Sequence, residues 1–200
     1  MLTRIVLFIA QVACDFLAAL LLARFILQWA RVSFRNPVGQ FVIAVTDWAV
    51  LPLRRMVPGL FGLDLASLLL AWLAQLAFLA LAYALSPLGP MGGMTWMGAA
   101  GAGGGILVSL MASALIEVAR LAIYLAMMVV LVTALLSWIN PHAPLAPFFS
   151  QLARPLLAPF QRMIPPLGGI DLSPLALLLL LQVLLMVLDS LRGMAFGLGM

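Results

Sequence analysis

The sequence predicts an all-α membrane protein whose four transmembrane helices form two tandem two-helix repeats, each repeat with an interfacial amphipathic segment in its loop. Of the 200 residues, 66% are hydrophobic and 8% are charged, whereas soluble domains are about 45–50% apolar and about 25% charged. Three stretches have the apolar length that crosses a bilayer, and a fourth, shorter one is interpreted as a span because it is the counterpart of a span in the first half. One block of sequence occurs in both halves of the chain, so the fold is expected to be one unit present twice.

The duplicated block has a fixed offset of 107 residues. Residues 51–76 align without gaps onto residues 158–183, and 12 of the 26 positions are identical. Five of the identities are leucines, which this composition would supply by chance. The other seven are Pro52/Pro159, Arg55/Arg162, Met56/Met163, Pro58/Pro165, Gly62/Gly169, Asp64/Asp171 and Gln75/Gln182.

The repeat divides the chain into a first unit, a linker and a second unit. The first unit, residues 1–85, has predicted spans at 5–27 and 65–85. Residues 86–105 form a linker rich in glycine, proline and methionine. The second unit, residues 106–200, has spans at 121–138 and 174–188. We expect the first span to be retained, because its hydrophobicity continues past the point where a signal peptide would be cleaved.

One further segment lies between the two spans of each unit. Residues 38–53 and 145–160 mix aromatic with polar side chains and are too short to cross the bilayer, so each is predicted to be a helix in the headgroup plane. Residues 106–120 allow two interpretations. They either lie in the interface or extend the third span into a helix of about 50 Å, longer than the roughly 30 Å hydrocarbon core.

The arginine distribution predicts the orientation. All ten basic residues are arginines. Seven lie in or beside the loops within the units and three on the other side, which places these loops in the cytoplasm and both termini in the periplasm of an inner membrane. No stretch builds the continuous basic face of a nucleic-acid binder, so nucleic acid is not an expected partner.

The composition also limits the chemistry. One cysteine, Cys14, and one histidine, His142, leave no intrachain disulfide and no Cys/His zinc site. No segment resembles a nucleophile elbow. We therefore expect a protein that is not an enzyme and has no metal, cofactor or catalytic residue.

The candidate site residues in the turn of each unit are an arginine and an aspartate. Asp64 and Asp171 stand directly before a span, where a carboxylate caps a helix and meets the positive end of its dipole. The expected ion pairs are Arg55 with Asp64 and Arg162 with Asp171. A functional role for these charges is the alternative.

Three of the polar residues inside the spans are candidate site residues. Gln75 and Gln182 each follow the aspartate of their turn by 11 residues and share its helix face. Buried amides in lipid bond across helices, so Gln75 is expected to bond to Gln182 or to the first span, and lining a polar path is the alternative. Asp15 is the deepest charge of the first span and must face protein or water.

The second copy of the block resembles a known family. Residues 159–174, Pro-Phe-Gln-Arg-Met-Ile-Pro-Pro-Leu-Gly-Gly-Ile-Asp-Leu-Ser-Pro, are similar to the signature of the YggT family, also called YlmG, whose members carry one or two such blocks. The resemblance implies an inner-membrane protein linked to osmotic-shock tolerance and potassium uptake, with plastid relatives implicated in cytochrome complex assembly or nucleoid distribution.

Two functions remain open from the sequence. The first is a non-enzymatic membrane protein that supports osmotic tolerance and envelope homeostasis by organising partner membrane proteins. The second is a small ion channel or transporter that acts as an oligomer, since four spans barely enclose a pore. Either function has the lipid bilayer as its medium, and a homo-oligomer is compatible with both.

Overall fold

A computed structural model describes residues 1–55, 64–85, 104–140, 142–163 and 171–197, and for 104–106 and 192–197 only the backbone. All regular structure in these ranges is helical, which confirms the predicted fold class. The expected linker falls mostly outside the described residues, as do the central parts of the two proline-rich turns, 56–63 and 164–170. The six helices are α1 Leu2–Trp29, α2 Pro37–Arg54, α3 Leu65–Ala84, α4 Gly104–Ile139, α5 Ala146–Met163 and α6 Ser173–Gly197.

Four of the helices are long and apolar enough to cross a membrane. They are α1 and α3 in the first unit and α4 and α6 in the second, and the predicted spans fall on them. The other two, α2 and α5, occupy the predicted amphipathic segments. In α5 one stripe is buried and carries Phe148, Leu152, Ala153 and Leu157, whereas Gln151 and Arg154 are exposed.

The open question about residues 106–120 is resolved by α4. This helix is continuous for 36 residues, which corresponds to about 54 Å at 1.5 Å per residue. Residues 106–120 therefore extend the third span as helix. The helix joins the two units, since α3 and α1 pack on it from one side and α5 and α6 pack on it from the other.

The packing of the two units is not symmetric. Within each unit the two spans pack together, α1 on α3 and α4 on α6. Between the units, α4 contacts both α1 and α3, but α6 contacts α4 and α5 and has no comparable contact with α1 or α3. One sequence alternative had Gln75 bonded to Gln182, but in the described part of the chain α3 and α6 have no contact comparable to those that α3 makes with α1 and α4. The surface by which α3 meets its neighbours therefore has an uncovered counterpart on α6.

Buried apolar side chains form three clusters that hold these contacts. The largest joins α1, α2, α3 and α4 through Ala18, Leu21, Leu22, Val50, Ala66, Ala71 and Val118. A second lies between α4, α5 and α6 around Val130. The third packs Leu27 and Val32, at the end of α1, on Phe148 and Leu152 of α5. The amphipathic helices are thus part of the interior.

Candidate functional site

A buried network of charges lies at the loop end of the first unit, which is the end where α1 stops and α3 begins. Arg24, near the end of α1, has a side chain only 6% exposed. Its Nη1 atom lies 2.6 Å from Asp47 Oδ1 and donates to Thr46 Oγ1 at 2.9 Å, both on α2. Its Nε atom lies 3.3 Å from Oδ2 of Asp64, directly before α3. Arg24 on α1 thereby contacts both α2 and the residue directly before α3.

Asp64 is the buried anion of this network. Its side chain is 1% exposed, and Arg54 Nη2 lies 3.4 Å from its Oδ2 atom. The expected pair with Arg55 is wrong: Arg55 is exposed and forms no ion pair with a described residue. Adjacent helical residues point about 100° apart, so Arg54 faces Asp64 when its neighbour does not. The carboxylate also does not cap α3, because it is turned towards the two arginines.

The loop end of the second unit has a different arrangement. Asp171 accepts hydrogen bonds from Gln161 Nε2 and from the Ser173 backbone N–H, each at 2.9 Å. Burial tends to raise the pKa of Asp171, but these bonds from Ser173 and Gln161 outweigh it and hold the pKa below its usual value of 3.8. The expected pair with Arg162 is wrong, since that exposed side chain has no ionic partner among the described residues.

A second polar group lies where α1, α3 and α4 meet inside the membrane region. Gln75, 2% exposed, donates from Nε2 to Asp15 Oδ1 at 2.8 Å. A cavity of about 230 Å³ adjoins this pair. Glu117 and Arg120 of α4 line the same cavity and lie 3.4 Å apart, as their i, i+3 spacing allows. The bond from Gln75 goes to the first span, as one of the two sequence alternatives had it.

Gln182 does not repeat the environment of Gln75. It is the central residue of the candidate span Ser173–Leu191 and it is exposed. Leu175, Leu179 and Met186 are also exposed, and their spacing places them on the same helix face as Gln182. We call these four residues the α6 face.

Comparison with known proteins identifies the architecture. The CCB3/YggT family model matches residues 3–85 and again residues 112–192, one match for each unit. The chain belongs to the CCB3/YggT family. It is 37% identical over 190 residues to an uncharacterized protein of Pseudomonas aeruginosa, covering 94% of this chain and 90% of that protein.

Two further relatives extend the CCB3/YggT comparison. The uncharacterized protein YggT of Escherichia coli K12 is 34% identical over 178 residues, with 88% of this chain and 85% of that protein covered. A protein encoded in the proC 3' region of Vibrio alginolyticus is 30% identical over 178 residues, covering 88% of each chain. No solved structure matches the chain.

The CCB3/YggT block thus brings together only part of the predicted site. Asp15 and Gln75 meet, whereas Asp64, Asp171, Arg55, Arg162 and Gln182 have the separate environments described above. Sequence reasoning missed Arg24 and Arg54 as the partners of Asp64, and it missed Asp47 as the second partner of Arg24. A signal for Arg24 existed: it is one of two charges in a predicted apolar span, and such residues are paired or functional. Among the described residues, no group of three or more histidine, cysteine or acidic side chains could hold a metal ion.

Proposed function

We propose that this CCB3/YggT protein is a non-enzymatic inner-membrane protein that supports osmotic-shock tolerance and envelope homeostasis by organising partner membrane proteins. Its loop ends lie in the cytoplasm and both termini in the periplasm. The observation that carries the proposal is the exposed amide of Gln182 in the middle of a transmembrane span. Family membership supports the membrane setting.

The counterpart of the α6 face in the first unit supports this proposal. The residues of α3 that correspond to the α6 face under the 107-residue offset are Leu68, Trp72, Gln75 and Leu79. None of them is exposed. Leu68 and Trp72 pack on the core cluster of α1 and α4, and the amide of Gln75 has the Asp15 carboxylate as its acceptor. The same surface is covered in one unit and uncovered in the other.

Lipid covers the leucines of the α6 face well but not the amide. An amide without hydrogen-bond partners in an apolar medium costs roughly 2–7 kcal/mol by transfer measurements, and interhelical bonds recover about 0.6–2 kcal/mol. The partner is therefore a transmembrane helix that carries a carboxylate or another acceptor at mid-membrane depth, as α1 does for Gln75. A second copy of this chain is one outcome of the test.

The experiment combines cross-linking with a shock assay. A photo-reactive amino acid at position 179 should cross-link to one membrane protein, and Gln182→Leu should abolish that product. A photo-reactive residue at Phe16, on the exposed surface of α1, is the matched control. Gln182→Leu should also fail to restore survival after hypo-osmotic shock to a strain that lacks the gene. A complementing Gln182→Leu variant with an unchanged cross-linking pattern would contradict the proposal.

The polar cavity beside Asp15 favours a second function, ion or solute passage. It is lined by two acidic side chains, Asp15 and Glu117, together with Arg120 and Gln11. Potassium flux into liposomes containing the purified chain tests this function directly. If the cavity conducts, Asp15→Asn should lower the flux at least tenfold while the Phe16→Leu control conducts normally. Flux equal to that of empty liposomes would eliminate this function and leave the first untouched.

A further inference from the structure

A cavity with several polar side chains in its lining lies at the loop end of the second unit. Its volume is about 620 Å³, within the roughly 300–1,000 Å³ range of small-molecule sites. The end of α4 contributes Thr133 and Trp138, α5 contributes Gln151 and Arg154, and Asp171 lies at the entrance to α6. Nothing in the proposed function uses this cavity.

When the two units are matched at the tryptophan that ends the first span of each, the position of Thr133 is held by an arginine in the first unit. Arg24 stands five residues before Trp29, and Thr133 stands five residues before Trp138. Arg24 reaches Asp47 and Asp64, whereas the short Thr133 side chain bonds to backbone carbonyls at 2.7 and 3.2 Å. The second unit thus lacks the guanidinium that fills the first, and its cavity adjoins the smaller residue.

The charges around the cavity have also been rearranged. Under the 107-residue offset, Arg154 replaces Asp47, so the amphipathic helix contributes a cation where the first unit has an anion. Arg154 is exposed and has no ion-pair or hydrogen-bond partner among the residues described. Gln151 lies on α5 one turn earlier and lines the same cavity. The two side chains present N–H donors together.

The negative charge at the cavity belongs to Asp171. The pKa of Asp171 is lowered from its usual value of 3.8, which favours the ionised carboxylate. Asp171 and Arg154 line one cavity without forming an ion pair with each other. A ligand that matches both side chains needs an anionic group and, a few bonds away, a cationic group that donates hydrogen bonds.

We propose that this cavity binds a phosphate ester carrying a primary ammonium group, the chemistry of the phosphatidylethanolamine headgroup. Arg154 and Gln151 donate to the phosphate, and the Asp171 carboxylate accepts from the ammonium. Trp138, 60% exposed at the end of its span, marks the depth at which headgroups lie. A soluble source, glycerophosphoethanolamine, has the same chemistry and is separated by the test.

The test is native mass spectrometry of the full-length protein, released from detergent after titration with one defined lipid at a time. Wild type should retain phosphatidylethanolamine about tenfold better than phosphatidylglycerol, whose headgroup has no ammonium, and better than phosphatidylcholine, whose ammonium cannot donate. Arg154→Gln should lower retention of phosphatidylethanolamine about tenfold, the loss expected for one charge-assisted contact of about 1.4 kcal/mol. Arg35→Gln, at an exposed arginine that does not line the cavity, is the matched control.

Two further variants test the contact with the ammonium group and the access of the lipid to the cavity. Asp171→Asn keeps the phosphate contact and should lose the discrimination between phosphatidylethanolamine and phosphatidylglycerol. Thr133→Arg supplies the guanidinium of the first unit and should exclude the lipid while the protein stays folded by circular dichroism. If glycerophosphoethanolamine displaces the lipid at low millimolar concentration, the site is filled from solution. Equal retention of all three lipids, or wild-type retention by Arg154→Gln, would overturn the proposal.

Discussion

Replacing Arg24 by methionine removes one charge from the buried network and keeps a side chain of similar length. Asp64 then remains 1% exposed with only Arg54 nearby, and Asp47 loses its partner. Removing one member of a buried ion pair costs about 3–5 kcal/mol, because the other charge is left uncompensated. Asp47 is 36% exposed, so water replaces most of its lost interaction.

The expected loss for Arg24→Met is therefore about 3 kcal/mol, at the low end of that range, because Arg54 still neutralises part of the Asp64 charge. Arg54→Met should cost less than about 1 kcal/mol, since Arg54 is 44% exposed and leaves the buried pair intact. Arg55→Met, at an exposed and unpaired side chain, should stay within about 0.5 kcal/mol of wild type. Equilibrium unfolding in mixed detergent micelles, followed by far-ultraviolet circular dichroism, gives these differences.

A second substitution determines whether the cost comes from the uncompensated carboxylate. In the Arg24→Met background, Asp64→Asn should recover about 2 kcal/mol, because it removes the charge that has lost its partner. The reasoning is refuted if Arg24→Met costs less than about 1 kcal/mol. It is equally refuted if the double variant is no more stable than Arg24→Met alone.

Three other outcomes follow from the described contacts. Gln75→Leu should lower stability by about 1 kcal/mol because it removes the hydrogen bond to the carboxylate of Asp15 on α1. Gln182→Leu should be neutral or stabilising in the purified chain, because Gln182 is exposed. Equal losses of stability for both variants in detergent unfolding would contradict this difference in burial. Gly39→Ala should cost about 1–3 kcal/mol in the same assay, because its Cβ would lie 2.8 Å from the backbone Cα of Phe34, and a neutral variant would contradict this packing. Asp171 has a lowered pKa, so its contribution to the free energy of unfolding is present above the usual value of 3.8 and is lost as pH falls through the lower folded pKa. The difference in stability between wild type and Asp171→Asn should therefore shrink below pH 4. A constant difference from pH 6 to pH 3 would contradict this role of Asp171.

The helices were predictable because the bilayer imposes their length and composition. A span needs about 20 apolar residues, and α3, Leu65–Ala84, agrees with its predicted bounds to one residue. The amphipathic helices were predictable from the same physical limit, since 38–53 is too short to cross. The extension of α4 was not, because an apolar segment beside a span is compatible with a longer helix or with the interface.

The ion pairs were less predictable because they depend on side-chain direction across helices. Sequence proximity in the turn favoured Arg55 for Asp64, but a one-residue step rotates a helical side chain by about 100°. Arg24 lies 40 residues from Asp64 along the chain and becomes its neighbour only when α1 packs on α3. Repeat symmetry also misled the interpretation of Gln182. Two identical residues have the same environment only if their helices have the same neighbours. Among the described residues, α6 has no contact with the other unit comparable to the one that α3 makes with α4.

The divergence of the two units begins at one position in the first helix of each. In the first unit Arg24 pairs with both Asp47 and Asp64, so the turn aspartate that the two units share is buried there and serves stability. In the second unit Thr133 bonds to backbone carbonyls and not to the equivalent aspartate, and Asp171 lines a cavity together with Arg154. The same turn sequence therefore places its aspartate in a buried ion pair in one unit and beside a cavity, without an ionic partner among the described residues, in the other. Because stability no longer requires those charges to meet, the second unit is the one in which binding can develop without unfolding the protein.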